Sequence, residues 1–216
     1  MIRRECLVSG ALRDPDRGEK EALALVAELL DVRPESNTTN TVSVRIRDAA
    51  GKTRQIPARF EIFCTPTNWV SAYETLPSPD EPGGVRLTIT RAAQRPNRYE
   101  LLDPAGAGRA SSAAKELTAD ETMLPFAGSD FWVADLGLEF LHWPRQRVLR
   151  YEMRHGKSCK VLESVTSQPV PGGYARVVSW FLSESPHGLV HADAYDARGG
   201  LLKRFDPKSL EKVEGE

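Results

Sequence analysis

Four groups of residues have types and spacings that could carry chemistry: Gly156-Lys157-Ser158, the pair His187 and His191, Ser129 between Gly128 and Asp130, and the cysteines Cys6, Cys64 and Cys159. The first would be the end of a phosphate-cradling loop. Such a loop needs a glycine five residues before Gly156 and a helix after Ser158. Tyr151 stands at the first place, and a strand pattern follows. The histidines, four apart, would share a helix face and hold a metal ion. Pro186 and Gly188 oppose a helix there, and on a strand four residues span roughly 13 Å, too far for one ion. Ser129 lacks the G-x-S-x-G elbow that exposes a nucleophile, and its hydroxyl reads as a cap or loop fixture together with Asp130. The cysteines are too few and too scattered for a zinc cluster or a disulfide scaffold. Cys64 and Cys159 are read as a single disulfide or as two buried free thiols, and Cys6 follows charged residues unlike those before a lipidation site. Gly106-Ala107-Gly108 is a lone G-x-G without the β-α-β setting of a dinucleotide fold. No catalytic residue, metal ligand or cofactor is predicted.

The elements around these groups are mostly strands. Ala22, Leu23, Val26, Leu29 and Leu30 recur at helical spacing within Gly18 to Val32, with Glu19 and Glu21 near the start and Pro34 after the end, which predicts one amphipathic helix. From Thr41 the period becomes two. Val42, Val44 and Ile46 alternate with Ser43, Arg45 and Arg47, the turn Asp48 to Lys52 follows, and a second strand runs through Ala58, Phe60 and Ile62. A further pair carries Val85, Leu87 and Ile89, then Tyr99 and Leu101, with an exposed loop expected from Ser78 to Gly84. Between Gly106 and Pro144 the alternation stops; a helix from Ser111 to Met123 and a helical turn capped by Ser129 are expected. Strands resume at Val148–Arg154, Cys159–Val165, Tyr174–Leu182, Leu189–Tyr195 and Leu201–Phe205. Roughly nine short strands at hairpin spacing describe a large curved antiparallel sheet in one domain, 1–216.

Composition agrees with such a domain. The chain has 216 residues, 40% hydrophobic and 27% charged, ordinary for a chain that buries a core. Lys+Arg 29 against Asp+Glu 30 leaves a net charge of -1, which argues against nucleic acid as a partner. Arg45, Arg47, Arg59, Arg86, Arg91, Arg98, Arg147, Arg150 and Arg154 alternate with apolar residues on or beside strands, the pattern of a solvated outer face. No apolar run is long enough to span a bilayer, and Met1 to Val8 contains no signal-like h-region. That leaves a cytoplasmic protein or one whose secretion signal lies outside this chain.

The run Gly128-Ser129-Asp130-Phe131-Trp132-Val133-Ala134-Asp135-Leu136 resembles the G-S-D-F-x-x-x-D-L signature of the bacterial outer-membrane lipoprotein-sorting (LolA/LolB-like) family. Gly156 to Glu163 is similar to its G-x-x-C-x-V-L-E strand, and Tyr195-Asp196-Ala197-Arg198-Gly199-Gly200-Leu201-Leu202-Lys203 resembles its Y-D-x-x-G-x-L-x-K ending. The N-terminal half agrees in element order. The resemblance implies a mainly β fold: a single large curved antiparallel sheet, an incomplete barrel, with an N-terminal helix and short helices covering the concave face. It also implies a periplasmic location and a non-enzymatic carrier that holds lipid or lipoprotein acyl chains in a hydrophobic cavity, with a membrane or membrane protein as a further partner. The candidate lining is Val42, Val44, Ile46, Phe60, Ile62, Leu87, Ile89, Leu149, Tyr151 and Met153 from the strands, with Phe131 and Trp132 from the helical insert. An alternative is a structural or interaction module with a filled interior that docks a partner through Trp132 and Trp143. A lipid hydrolase ranks last, since no motif supplies its nucleophile. The apolar stretch Leu138 to Trp143 is expected to mark a local binding surface.

Overall fold

Asp14 and Pro15 start the first helix earlier than the apolar spacing predicts. The computed structural model describes residues 12, 14–48, 50–78, 84–93, 95–103 and 113–207. In it α1 runs Pro15–Asp31, with the Asp14 carboxylate accepting the Arg17 N–H at 3.2 Å, as a cap before a first-turn proline should. Its buried stripe is Gly18, Ala22, Leu25 and Val26, while Leu23 is 67% exposed. The inward face is therefore rotated from the one expected.

The chain divides into two compact units. One is the continuous segment Leu30–His142. It holds a six-stranded antiparallel sheet in sequential order: β1 (Thr38–Arg47), β2 (Thr53–Cys64), β3 (Asn68–Thr75), β4 (Arg86–Ala92), β5 (Arg98–Leu102) and β6 (Lys115–Leu117). The predicted hairpins are β1–β2 and β4–β5. β3 escaped the sequence reading because it is covered on both faces, with Ser71 and Ala72 buried next to each other, so it shows no period of two. Where a helix was expected from Ser111 to Met123, residues 113–123 contain β6 and a single 3-10 turn at Asp120–Thr122. Pairing of Tyr99 with Leu117 and of Leu101 with Lys115 overrides local propensity there. After two further 3-10 turns and α2 (Val133–Gly137), the segment ends at His142. The expected loop at Ser78–Gly84 lies outside the described residues at 79–83, as do the Gly106–Ser111 loop and Cys6.

The other unit combines residues 1–29 with 143–216. Its five-stranded antiparallel sheet has the order β11-β10-β9-β8-β7, from β7 (Arg145–Arg154), β8 (Lys157–Val165), β9 (Arg176–Leu182), β10 (Leu189–Tyr195) and β11 (Leu201–Phe205). These are the five strands read from the sequence. A Cβ on Gly18 would lie 2.6 Å from the Val148 carbonyl oxygen, so glycine lets α1 meet β7 backbone-close. At the other end of α1, Glu28 contacts His187 Nε2 at 2.6 Å. Among the described residues the architecture is mainly antiparallel β with few helices and neither sheet closes on itself, as expected, except that the single sheet is two. Pro125 and the left-handed backbone of Ala127 and Gly128 interrupt strand geometry between β6 and β7.

Candidate functional site

In an antiparallel sheet directly paired residues share a face, so the register sorts the side chains of the six-stranded sheet. One row runs Asn40, Phe60, Tyr73, Leu87, Leu101; the next runs Thr38, Ile62, Ser71, Ile89, Tyr99, Leu117. Val42 with Ala58, and Val44 with Ile56, extend the same face. The opposite face carries Arg59, Glu74, Arg86 and Glu61, joined by ion pairs of 3.8, 2.9 and 3.5 Å, and Arg98 with Glu116 at 2.9 Å. Alternation thus separates an apolar face from a charged one.

The apolar face is covered unevenly. Over β4 and β5, Leu87, Ile89 and Tyr99 pack with Phe126 and Val133 of the helical insert; Leu87 and Ile89 have no exposed surface. Toward β1 the cover thins: Phe60, Ile62, Val44 and Ile46 are half-buried and Val42 is 44% exposed. The rings of Phe60 and Tyr73 stack at 4.8 Å, and Tyr73 meets the Phe126 ring edge-on at 6.3 Å. The aromatic row therefore runs from the sealed part of the face to the partly open part.

Polar contacts tie the insert down. Arg91, which the sequence placed on a solvated face, instead lies on the apolar face and donates to the Leu136 and Gly137 carbonyls at 2.8 and 3.2 Å. Asn97 donates to the Gly137 carbonyl at 2.9 Å and to the Tyr99 hydroxyl at 3.0 Å. The Tyr99 hydroxyl donates to buried Glu139 at 2.6 Å. Burial pushes the Glu139 carboxyl upward, against the opposing pulls of the Tyr99 hydrogen bond and the Arg91 charge. Burial, reinforced by the Glu139 charge, raises the Tyr99 hydroxyl, so it stays a donor. Burial, with the Arg91 charge, also lowers the His142 imidazole. A Cβ on Gly137 would lie 2.0 Å from the Tyr99 hydroxyl oxygen; only glycine fits at this crossing.

The G-S-D-F run builds the turn into α2. Ala127 and Gly128 have φ of 50° and 64°, and the Phe131 N–H donates to Ser129 Oγ at 3.1 Å. Ser129 therefore fixes the loop and is not the helix cap. α2 begins after Trp132, whose N–H donates to the Asp135 carboxylate at 2.7 Å. Phe131 is 44% exposed and Trp132 half-buried. The stretch from Leu138 to Trp143 is folded inward, with Phe140 and Leu141 6% and 4% exposed, against the expectation of a presented surface.

Of the twelve residues named from the sequence, the seven on β1, β2 and β4 share one face. Leu149, Tyr151 and Met153 belong to the other unit, and Leu149 does not share the face of Tyr151 and Met153. A β-bulge between Val148 and Arg150 shifts the register, so Leu149 packs with the Cys159, Val161 and Trp180 cluster. Tyr151 and Met153 pair with Lys160 and Ser158, and Met153 is 52% exposed. One inserted residue inverts every later side chain. Tyr73, Tyr99, Ile56, Phe126 and Val133 were missed; Tyr99 sits at a period-two position with Leu101, but Tyr73 lies on β3, which lacks that period, and the two insert residues carry no strand signal.

The remaining polar cluster is in the five-stranded unit. Buried His191 lies 3.2 Å from both Asp193 and Asp206 and 2.6 Å from an Arg154 nitrogen. Arg204 holds Asp193 at 2.8 Å. Burial raises the Asp193 carboxyl, but Arg204 and His191 more than offset it and hold it below its usual range. The carboxylates here are matched by cations, a structural network. Cys64 and Cys159 are free thiols. Among the described residues no group of three or more His, Cys, Asp or Glu could hold a metal ion, and no helix is long and apolar enough to cross a membrane.

A family model described as "Uncharacterized protein" matches residues 85–216. No curated protein matches the sequence. Among solved structures, a protein domain assigned to outer membrane lipoprotein sorting from Vibrio parahaemolyticus is similar, with TM-score 0.70, 18% identity and 91% of this chain and 81% of that one covered. A DUF1329 family protein from Desulfovibrio piger gives TM-score 0.67 at 19% identity, over 94% of this chain and 82% of that one. A LolA superfamily protein from Nitrosomonas europaea gives TM-score 0.56 at 17% identity, over 90% and 80%. These likenesses establish a LolA-like fold.

Proposed function

This chain belongs to the family whose model spans residues 85–216, and from its LolA-like fold and its apolar sheet face we propose that it is a non-catalytic carrier of lipid or lipoprotein acyl chains. The observation that carries the reading is the gradient of cover on the six-stranded sheet, from Leu87 and Ile89, sealed at 0% exposure, to Val42 at 44%. An apolar face that continues past its own cover offers an acyl chain a place to lie. Ten buried methylenes are worth about 8 kcal/mol before ordering costs, which sets a ceiling near micromolar affinity for a chain of that length. Specificity would come from the shape and apolar lining supplied by Val42, Val44, Ile46, Phe60 and Ile62. Leu87 and Ile89 become lining once the insert lifts, as do Phe131 and Trp132 at its edge. Cargo exchange would take place in the periplasm against a membrane or membrane protein, in keeping with the lipoprotein-sorting assignment of the Vibrio domain.

The test is direct. A fluorescent fatty acid should bind the purified protein, and acyl ligands should co-purify and register in native mass spectrometry. Phe60→Asp and Ile62→Asp each put a charge on the half-buried row and should weaken binding more than tenfold, about 1.4 kcal/mol or more. Met153→Asp, in the other unit, should not. Absence of both bound acyl chains and fatty-acid uptake overturns the reading.

A further inference from the structure

Cations on the charged face of the six-stranded sheet meet carboxylates across the strands: Arg59 and Arg86 share Glu74, and Arg98 pairs with Glu116. The end of the β1–β2 hairpin breaks this rule. Arg45 stands opposite Gln55 and Arg47 opposite Thr53, with Lys52 in the turn between them. From Ser43 to Thr53 there are three cations, Arg45, Arg47 and Lys52, and a single carboxylate, Asp48. That carboxylate is engaged in the turn, where it accepts the Lys52 backbone N–H at 2.8 Å. Backbone bonds from Asp48 N–H to the Lys52 carbonyl and from Gly51 N–H to the Asp48 carbonyl close the same turn. Arg45, Arg47 and Lys52 are exposed, and among the described residues their charged groups have no carboxylate partner. In a chain of net charge -1 this is a local excess of positive charge. The other face of the same strand carries Val42, Val44 and Ile46.

We propose that the end of the β1–β2 hairpin, through Arg45, Arg47 and Lys52, docks the protein onto a bilayer surface rich in anionic phospholipid headgroups. Unmatched cations on one side of a strand and an incompletely covered apolar row on the other suit the boundary between headgroups and acyl chains. A fluid array of headgroups meets the three cations without needing a shaped acidic counterpart, which favours a bilayer over an acidic protein. The inference goes beyond the carrier reading, because it stands on charge placement and not on cargo.

Vesicle co-sedimentation of the full chain tests it, with vesicles of pure phosphatidylcholine and of phosphatidylcholine with phosphatidylglycerol. The protein should sediment with the anionic vesicles alone, and binding should fall as salt rises from about 50 mM, since the Debye length shortens to ~10 Å at 0.1 M. Each lost cation weakens partitioning by about fivefold, so the triple variant Arg45→Gln, Arg47→Gln, Lys52→Gln should bind on the order of a hundredfold more weakly. A control of equal charge, Arg17→Gln, Lys20→Gln, Arg198→Gln, should retain binding; circular dichroism and a thermal melt verify that both variants fold. Equal binding by the two triple variants, or no binding of the parent to anionic vesicles at low salt, overturns the proposal. So does a parent that ignores vesicles but binds polyglutamate, which makes the partner an acidic protein. Fatty-acid uptake is measured alongside in the absence of vesicles. A parent that sediments with anionic vesicles yet takes up no fatty acid leaves the docking intact and removes the cargo reading, and the converse result does the reverse.

Discussion

Gly137 and Glu139 show how few atoms hold the insert on the sheet. Because a Cβ on Gly137 would fall 2.0 Å from the Tyr99 hydroxyl oxygen, Gly137→Ala must displace Tyr99 or the α2 terminus. The expected cost is about 3 kcal/mol, read as a lower urea midpoint at an unchanged slope. Glu139 makes a pH prediction. Its folded-state pKa is raised by burial, so the folded protein holds this proton more tightly than the unfolded chain. The linked stability is present in full below the unfolded value, about 4.3, and is lost as pH rises through the raised folded value. Glu139→Gln keeps an acceptor for Tyr99 and removes the titration. Wild-type stability relative to that variant should therefore decline from pH 4 upward, measured by urea unfolding across the range; a constant difference refutes this. Neither residue could be singled out from the sequence, since a buried glutamate and an indispensable glycine look ordinary until Tyr99 is placed above them.

At the scale of elements, Arg91 joins β4 to the end of α2 through the Leu136 and Gly137 carbonyls. Arg91→Met removes charge-assisted hydrogen bonds worth about 1.5–3 kcal/mol. Amide exchange should speed up in 133–142 while β2 to β4 stay protected. If the insert gates the apolar face, the association rate of a fluorescent fatty acid should rise in the same variant. Unchanged exchange in 133–142 would rule out Arg91 as a latch. The strands with one covered face were legible because their period is two, as in Val42, Val44 and Ile46. β3, covered on both faces, and β6, three residues long, were not. The bulge at Leu149 lay beyond sequence reasoning as well, since an extra residue in a strand leaves composition and spacing unaltered and changes only which partner each residue meets.

For the whole molecule, the chain order places unit Leu30–His142 between the two parts of the other unit, so α1 and β7–β11 come together only across the intervening segment. We propose that the two units unfold cooperatively as one domain, in a single calorimetric transition. A saturating fatty acid at 100 times its dissociation constant should stabilise it by about 2.7 kcal/mol, seen as a higher melting temperature. Two transitions, with one alone shifting, would confine cargo to one unit. The sequence by itself determined the antiparallel β class, the hairpins, the turn at Asp48–Lys52 and the family resemblance at the G-S-D-F run, because side-chain period and turn chemistry are local. The tertiary structure alone decided the division into two sheets, the inward placement of Arg91, the bulge that parts Leu149 from Tyr151, and where the cover over the apolar face ends. Each of these depends on which distant backbone supplies a hydrogen bond or a packing surface, and residue spacing does not encode that.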